Sequence, residues 1–105
     1  GFNVENVIEY LQNHYCEEIN NTDLSAKFHF HPNYINSEFK KHTSKSLHSY
    51  ILELRILKSI AMMESGFTNI SEIAHCCGFG DSNYFSRYFK KKTGISPKQA
   101  WILFK

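Results

Sequence analysis

The sequence predicts an all-α fold of about seven helices, built as two similar halves joined by one long helix. Three observations carry this reading. Apolar residues recur with helical period along nearly the whole chain. Capping residues, two prolines and five glycines punctuate that pattern. A stretch that begins at Asn33 returns at Asn83 with many of the same residues in the same order. No window alternates with period two, and no Asn-Gly or Asp-Gly hairpin signal occurs.

The first helix carries Val4, Val7, Ile8, Leu11 and Tyr15 on one face, with Asn3 as its cap. Asn21 or Thr22 opens a short second helix bearing Leu24 and Phe28. Pro32 suits the first turn of a third, whose apolar side is Ile35 and Phe39. Ser46 caps a long fourth helix, with a stripe of Leu47, Tyr50, Ile51, Leu54, Leu57 and Ala61 that Gly66 ends. Asn69 or Ser71 opens the fifth, which presents Ile70, Ile73 and Ala74 and stops at Gly78. Asp81 or Ser82 opens the sixth, with Phe85, Tyr88 and Phe89, closed by Gly94. Ser96-Pro97 starts a seventh that ends in Trp101, Ile102 and Phe104. The expected organisation is a first subdomain at 1–45, a linker helix at 46–65 and a second subdomain at 66–105.

Composition narrows the class. The chain has 105 residues, 42% of them hydrophobic, with nine Phe, six Tyr and one Trp. That supplies a real core and excludes a disordered tail. No apolar run reaches the ~18 to 20 residues of a membrane span. The first ten residues hold acids rather than a basic stretch followed by an apolar one, so no signal peptide is expected. Cys16, Cys76 and Cys77 make an odd count with two adjacent. This is a poor disulfide framework and reads as reduced intracellular thiols.

The formal net charge of +2 hides an asymmetry. Residues 1–26 hold five acids and no Lys or Arg. Residues 27–105 hold all twelve bases and the other five acids, a net +7. From Tyr84 onward stand Arg87, Lys90, Lys91, Lys92, Lys98 and Lys105, with no acid. A polyanionic partner met by one face fits this distribution.

The repeat sharpens the partner. NYINSEFKKHTSKSL from Asn33 aligns with NYFSRYFKKKTGISP from Asn83 at an offset of 50. Upstream, Leu24 matches Ile73 and Phe30 matches Phe79 at an offset of 49, so the second turn has gained one residue. Each copy reads as short helix, tight turn, second helix and basic end. This is the plan of a homeodomain-like helix-turn-helix, which lays its second helix in a major groove. In the second copy small Ala74 permits a close crossing, Gly78 suits the turn and Phe79 plugs the gap between helices. The first copy has Ser25 and His29 in place of Ala74 and Gly78.

Subtracting the apolar side leaves the outward residues. In the third helix these include His31, Asn33, Tyr34, Asn36 and Ser37. In the sixth they are Ser82, Asn83, Ser86 and Arg87. Asn can bond adenine, Arg can bond guanine O6 and N7, and Ser suits either base edge. Lys40, Lys41, Lys90, Lys91 and Lys92 lie at the far helix ends, where they would meet phosphates. The Tyr34 and Tyr84 hydroxyls can reach phosphate or their rings can pack. The fourth helix, about 30 Å long at 1.5 Å per residue, nearly matches the ~34 Å between major-groove faces on one side of a duplex. Its Arg55 and Lys58 either touch the DNA backbone or pair with Glu53 or Glu64.

ISEIAHCCGFGDSNYFSRYFKKKTGISP, from Ile70 to Pro97, resembles the second helix-turn-helix signature of the AraC/XylS family of bacterial transcription regulators. DLSAKFHFHPNYINSEFKKHTSKSL resembles that family's first unit, and Arg55-Ile56 its linking helix. The resemblance covers essentially the whole chain. It implies a monomeric double reader of double-stranded DNA that activates or represses transcription in the bacterial cytoplasm, at the nucleoid. It places Asn33, Asn36 and Ser37, and Ser82, Asn83 and Arg87, where the family reads bases. RNA polymerase and an absent N-terminal sensor or receiver domain are the further partners it implies. The chain departs from the family pattern at Ala100 and Trp101, which replace an aromatic residue followed by Arg, and at Ser37, which replaces a common Arg or Lys.

Other classes fit less well. His29, His31, Cys76 and Cys77 do not have zinc-site spacing, so no metal and no cofactor are expected. Cys76 and Cys77 read as small buried or half-buried fillers. Phe28, Phe30, Phe39, Phe79, Phe85 and Phe89 read as core. No phosphate loop, nucleophile elbow or carboxylate pair argues for an enzyme. The alternative is a helical protein-interaction module that needs no DNA.

Overall fold

A computed structural model describes residues 1–104; Lys105, counted above among the C-terminal bases, lies outside them. Among the described residues there are seven α-helices and no strand: α1 (Val4–His14), α2 (Asn21–Phe28), α3 (Pro32–Thr43), α4 (Leu47–Glu64), α5 (Ile70–Cys76), α6 (Ser82–Thr93) and α7 (Pro97–Phe104). The fold is all-α, as the periodicity predicts. No helix among the described residues is long and apolar enough to cross a membrane. The chain divides into two compact units, Gly1–Leu54 and Arg55–Lys105, and the boundary falls inside α4.

Caps set the helix starts. The Asn3 side chain accepts the backbone N–H of Glu5 at 2.9 Å. α2 begins at Asn21, one of the two expected openings, and its cap is Asn20, whose side chain takes the N–H of Asp23 at 2.8 Å. Asn69 caps α5 and Asp81 caps α6, which makes Ser82 the first residue of its helix. Ser46 Oγ accepts from Ser49 N–H at 3.1 Å at the start of α4. Each such bond satisfies a donor that the first helical turn leaves orphaned, a contribution of about 1 kcal/mol.

The core of the first unit is Val7, Leu11, Leu24, Ile35, Phe39, Leu47 and Ile51, all buried. Tyr50 and Leu54 pack against it half-buried. Phe28 and Phe30, expected in this core, are only half-buried. Phe30 lies at the edge of the fold instead, stacked on Tyr34 at 5.1 Å and met edge-on by Phe2 at 5.8 Å. The buried residues of the second unit are Ile56, Ser59, Met63, Ile73, Ala74, Cys77, Phe79, Phe85, Phe89, Pro97 and Ala100. Phe79 rests 5.0 Å from Phe85, which lies 5.7 Å from Phe89. Fully burying each such ring contributes about 1.5–3 kcal/mol.

The expected stripe on α4 needs correction. Leu57 is 63% exposed and Ala61 is also exposed. A second buried face runs through Leu52, Ile56, Ser59 and Met63, in a different helical phase from Leu47, Ile51 and Leu54. Ser59 hides the change, because a polar residue does not extend an apolar stripe on paper. It is fully buried, and its hydroxyl donates to the Ile56 carbonyl at 2.6 Å. The adjacent cysteines also split: Cys77 is buried with Sγ 3.8 Å from Met62 Sδ, whereas Cys76 is exposed rather than a filler. Cys77 is the C-cap of α5 and continues the buried side that Ile73 and Ala74 begin, whereas Cys76 points to the other side of the helix.

Candidate nucleic-acid interface

The two recognition helices are built alike, bond by bond. At the start of α3 the N–H of Asn33 donates to His31 Nδ1 at 3.1 Å; at the start of α6 the N–H of Asn83 donates to Asp81 Oδ1 at 2.8 Å. At the far ends the hydroxyls of Thr43 and Thr93 donate to the carbonyls of Phe39 and Phe89 at 2.7 and 2.8 Å. Ser44 and Gly94 close the helices in the left-handed region, with N–H groups on the Lys40 and Lys90 carbonyls at 2.8 Å in both cases. Ser46 and Ser96 then cap the helices that follow, each accepting the N–H three residues on.

Shared hydrogen bonds impose shared exposure. Residues 31–40 and 81–90 run through the same order of exposed, half-buried and buried positions. Ile35 and Phe39, and Phe85 and Phe89, hold one face inward at 0–1% exposure. The opposite face of α3 carries exposed Asn33, Ser37, Lys40 and Lys41. That of α6 carries exposed Asn83, Arg87, Lys90 and Lys91. The spacing i, i+4, i+7, i+8 puts each set on a single stripe, polar at the helix start and basic at its end. No acid lies within α6, and Arg87, Lys40, Lys41, Lys90 and Lys91 have no ion pair among the described residues.

The remaining site residues are placed less openly. Asn36 is half-buried, and its Nδ2 donates to the Pro32 carbonyl at 2.9 Å. Ser82 is half-buried as the first helical residue. Tyr34 is 44% exposed and Tyr84 37%, yet both rings pack: Tyr34 on Phe30, and Tyr84 at 5.9 Å from Phe79 and 6.2 Å from Tyr88. The packing reading of these rings holds, and each ring also keeps an accessible surface. Lys92 is exposed with Nζ 5.7 Å from the centroid of Tyr88.

Three positions carry more than sequence reasoning assigned them. His31 was an outward residue on paper; it is the cap of α3, and its alignment with Asp81 is the signal that reveals this. The Arg55 guanidinium lies 5.7 Å over the Phe79 ring, where it braces the turn between α5 and α6. Glu53, an expected partner of Lys58 or Arg55, pairs with Lys45 at 2.9 Å. No group of three His, Cys, Asp or Glu among the described residues is placed to hold a metal ion.

Two short helices, a tight turn and an outward basic stripe, present twice, define a double helix-turn-helix domain. A family model described as a helix-turn-helix domain matches residues 24–100. The chain is 35% identical over 95 residues to the HTH-type transcriptional activator RhaS of Pectobacterium carotovorum, covering 90% of this chain and 34% of that protein. It is similar in structure to the C-terminal domain of AraT, a response regulator from Geobacillus stearothermophilus, with a TM-score of 0.89, 26% identity, and coverage of 95% and 84%. It shares its fold with the DNA-binding domain of AdpA, solved in complex with a target DNA, with a TM-score of 0.88, 19% identity, and coverage of 96% and 91%. The chain belongs to the helix-turn-helix family, in its AraC-type branch of DNA-binding transcription regulators. It spans about one third of the length of the curated relatives it matches.

Proposed function

We propose that this domain recognises a specific double-stranded DNA site by laying α3 and α6 in adjacent major-groove segments, as the reading head of a longer bacterial regulator. The observation that carries the proposal is the matched stripe on the two helices. Each is polar at the helix start, basic at its end, and anchored from behind by two buried residues. The fold shared with the DNA-bound domain of AdpA supports it. In this reading Asn33, Asn36 and Ser37 on α3, and Ser82, Asn83 and Arg87 on α6, meet base edges. Tyr34, Lys40, Lys41, Tyr84, Lys90, Lys91 and Lys92 hold phosphates and set the register. The functional parts are the subdomains 1–45 and 66–105 with the linker helix 46–65. RNA polymerase and an N-terminal sensor or receiver domain are its protein partners. It works at the nucleoid in the cytoplasm and catalyses no reaction.

Selection from a random duplex pool tests this. The expected result is a motif of two short elements about one helical turn apart. Affinity should fall steeply with salt, because each neutralised phosphate adds about −0.9 to the slope of log K against log salt. Salt-insensitive binding with no motif would instead favour the protein-interaction module.

A further inference from the structure

We propose that Phe2 is a positioning residue for DNA binding: from ahead of α1 it supplies the ring that holds Tyr34 on the first recognition helix, a ring that the second recognition helix supplies itself at Tyr88. This rests on the reading of Tyr34 as a phosphate contact and adds the residue that fixes it. In the second unit an aromatic cluster closes on the flank of α6. Phe79 lies 5.9 Å from Tyr84 and 6.5 Å from Tyr88, Tyr84 lies 6.2 Å from Tyr88, and Lys92 Nζ stands 5.7 Å from the Tyr88 centroid. The repeat maps Phe79, Tyr84 and Lys92 onto Phe30, Tyr34 and His42, but it maps Tyr88 onto Glu38. A carboxylate has no ring with which to close the cluster. Phe2 closes it instead: its ring lies 5.8 Å from Phe30, 5.9 Å from Tyr34 and 6.4 Å from the His42 ring. A ring from a remote part of the chain thus meets the counterparts of the same groups that Tyr88 meets.

The two tyrosines are therefore held by different parts of the molecule. Tyr34 stacks on Phe30 at 5.1 Å with the planes 26° apart, and Phe2 meets its ring edge-on at 90°. Contact on two sides leaves the ring few rotamers. Its hydroxyl makes no hydrogen bond among the described residues and is not a buried orphan. The ring is thus ordered when the chain folds, and little rotamer freedom is left to lose when the hydroxyl meets a phosphate. Tyr84 draws these ring contacts from the turn and helix of its own unit. Tyr34 depends also on the segment ahead of α1, so a change in that segment reaches the first reader and not the second.

Titrations of the selected duplex and of an unrelated duplex test this. Phe2→Ala should weaken both about 3- to 5-fold, and Tyr34→Phe, which keeps the ring and drops the hydroxyl, about 10-fold. In the Tyr34→Phe background Phe2→Ala should weaken binding no further. Neither variant removes a charge, so the salt slope should match the wild type. Had Phe2 merely kept α3 seated, the Lys40 and Lys41 contacts would go with it and the slope would fall by about 2. Glu38→Tyr should restore binding to Phe2→Ala, because it returns a ring to the place where α6 has one. Glu38→Gln removes the same charge and should not restore it. Phe2→Leu keeps the apolar bulk without the ring, and should fold as the wild type yet bind like Phe2→Ala. Losses that add in the double variant, a flattened salt slope, or equal rescue by Glu38→Gln overturn the proposal. Wild-type affinity in Phe2→Ala beside a weakened Tyr34→Phe overturns the positioning role alone. Wild-type affinity in Tyr34→Phe overturns the phosphate reading of Tyr34 and the positioning role with it.

Discussion

The two units share a backbone plan and the outward pairs Asn33/Asn83, Tyr34/Tyr84, Lys40/Lys90 and Lys41/Lys91, but differ at the cap, in the turn and in the middle of the outward stripe. His31 caps one recognition helix with a ring nitrogen, and Asp81 caps the other with a carboxylate. His29 closes α2 at φ 60°, while Gly78 follows α5 at φ 98°. The second turn adds Gly80 and leaves Phe79 fully in the core, 3% exposed, where its counterpart Phe30 is half-buried and leans on Phe2 and Tyr34. The fold is thus held by a short set of cap atoms, threonine hydroxyls and two buried anchors per helix. Chemistry outside that set is free to diverge. The first unit carries Asn36 and Ser37 where the second carries Ser86 and Arg87. The second unit therefore presents the more strongly charged outward stripe.

The largest contrast should appear at the helix crossing. Ala74 is 1% exposed, whereas its counterpart Ser25 is half-buried. Ala74→Leu forces three extra carbons into a filled space and should cost about 1–3 kcal/mol or unfold the second unit. Ser25→Leu should cost clearly less, because its site opens to solvent. Denaturant melts of both variants check this. Equal losses would mean that the two crossings are equally tight despite their different exposure.

Base reading should be similarly uneven. Arg87→Ala removes the only arginine on either recognition helix and should cost about 1–3 kcal/mol on the selected site, with preference relaxed at one base pair. Ser37→Ala at the matching position should cost a few tenths of that. Titrations against the selected duplex and single-base variants of it measure both. A larger loss at Ser37 would reverse the assignment of the stronger reader.

Most of this architecture was legible because it rests on local signals. Periodicity, caps and glycines gave seven helices in the right places, and the 33/83 repeat paired residues that make identical bonds. Three features were not legible. Asn20 outcompetes Asn21 and Thr22 as a cap because the start of a helix is chosen by which side chain reaches an orphan N–H, and three adjacent residues all carry suitable oxygens. The phase change on α4 was masked by buried Ser59, whose hydroxyl is satisfied one turn back. Half-burial of Phe28 and Phe30 follows from their places at the last residue of α2 and in the turn after it, a tertiary fact that helical period does not encode. At the interface the outward stripe was readable by subtraction. The bond from Asn36 to the Pro32 carbonyl, and the ring contacts beneath Tyr34 and Tyr84, depend on rotamers.

Phosphate contacts should weigh on both units alike, and their removal sharpens the contrast with base reading. Lys90→Gln with Lys91→Gln should lower the magnitude of the salt slope by about 2 and weaken selected and unrelated duplexes by the same factor. The matching pair Lys40→Gln with Lys41→Gln should do the same. Loss confined to one duplex sequence would make these lysines base readers instead.

The smallest expected effect is a direct exchange between the units. Ser44 and Gly94 close α3 and α6 with the same hydrogen bond, at φ 64° and 88°. A left-handed conformation costs a residue with a Cβ roughly 1 kcal/mol, which glycine escapes. Nothing lies within 4 Å of a Cβ added at Gly94, so only the backbone term remains there. Gly94→Ser should therefore destabilise by about 0.5 kcal/mol, because the serine side chain also stiffens the unfolded chain and offsets part of that term. Ser44→Gly should stabilise by about 0.5 kcal/mol, less than the full term because glycine also loosens the unfolded chain. Both shifts should be unfolding effects that leave DNA preference unchanged, since the exchanged atoms lie past the base-reading end of each helix. If Gly94→Ser costs nothing while Ser44→Gly gains nothing, the two closures are energetically equivalent, and glycine at residue 94 has no conformational cause.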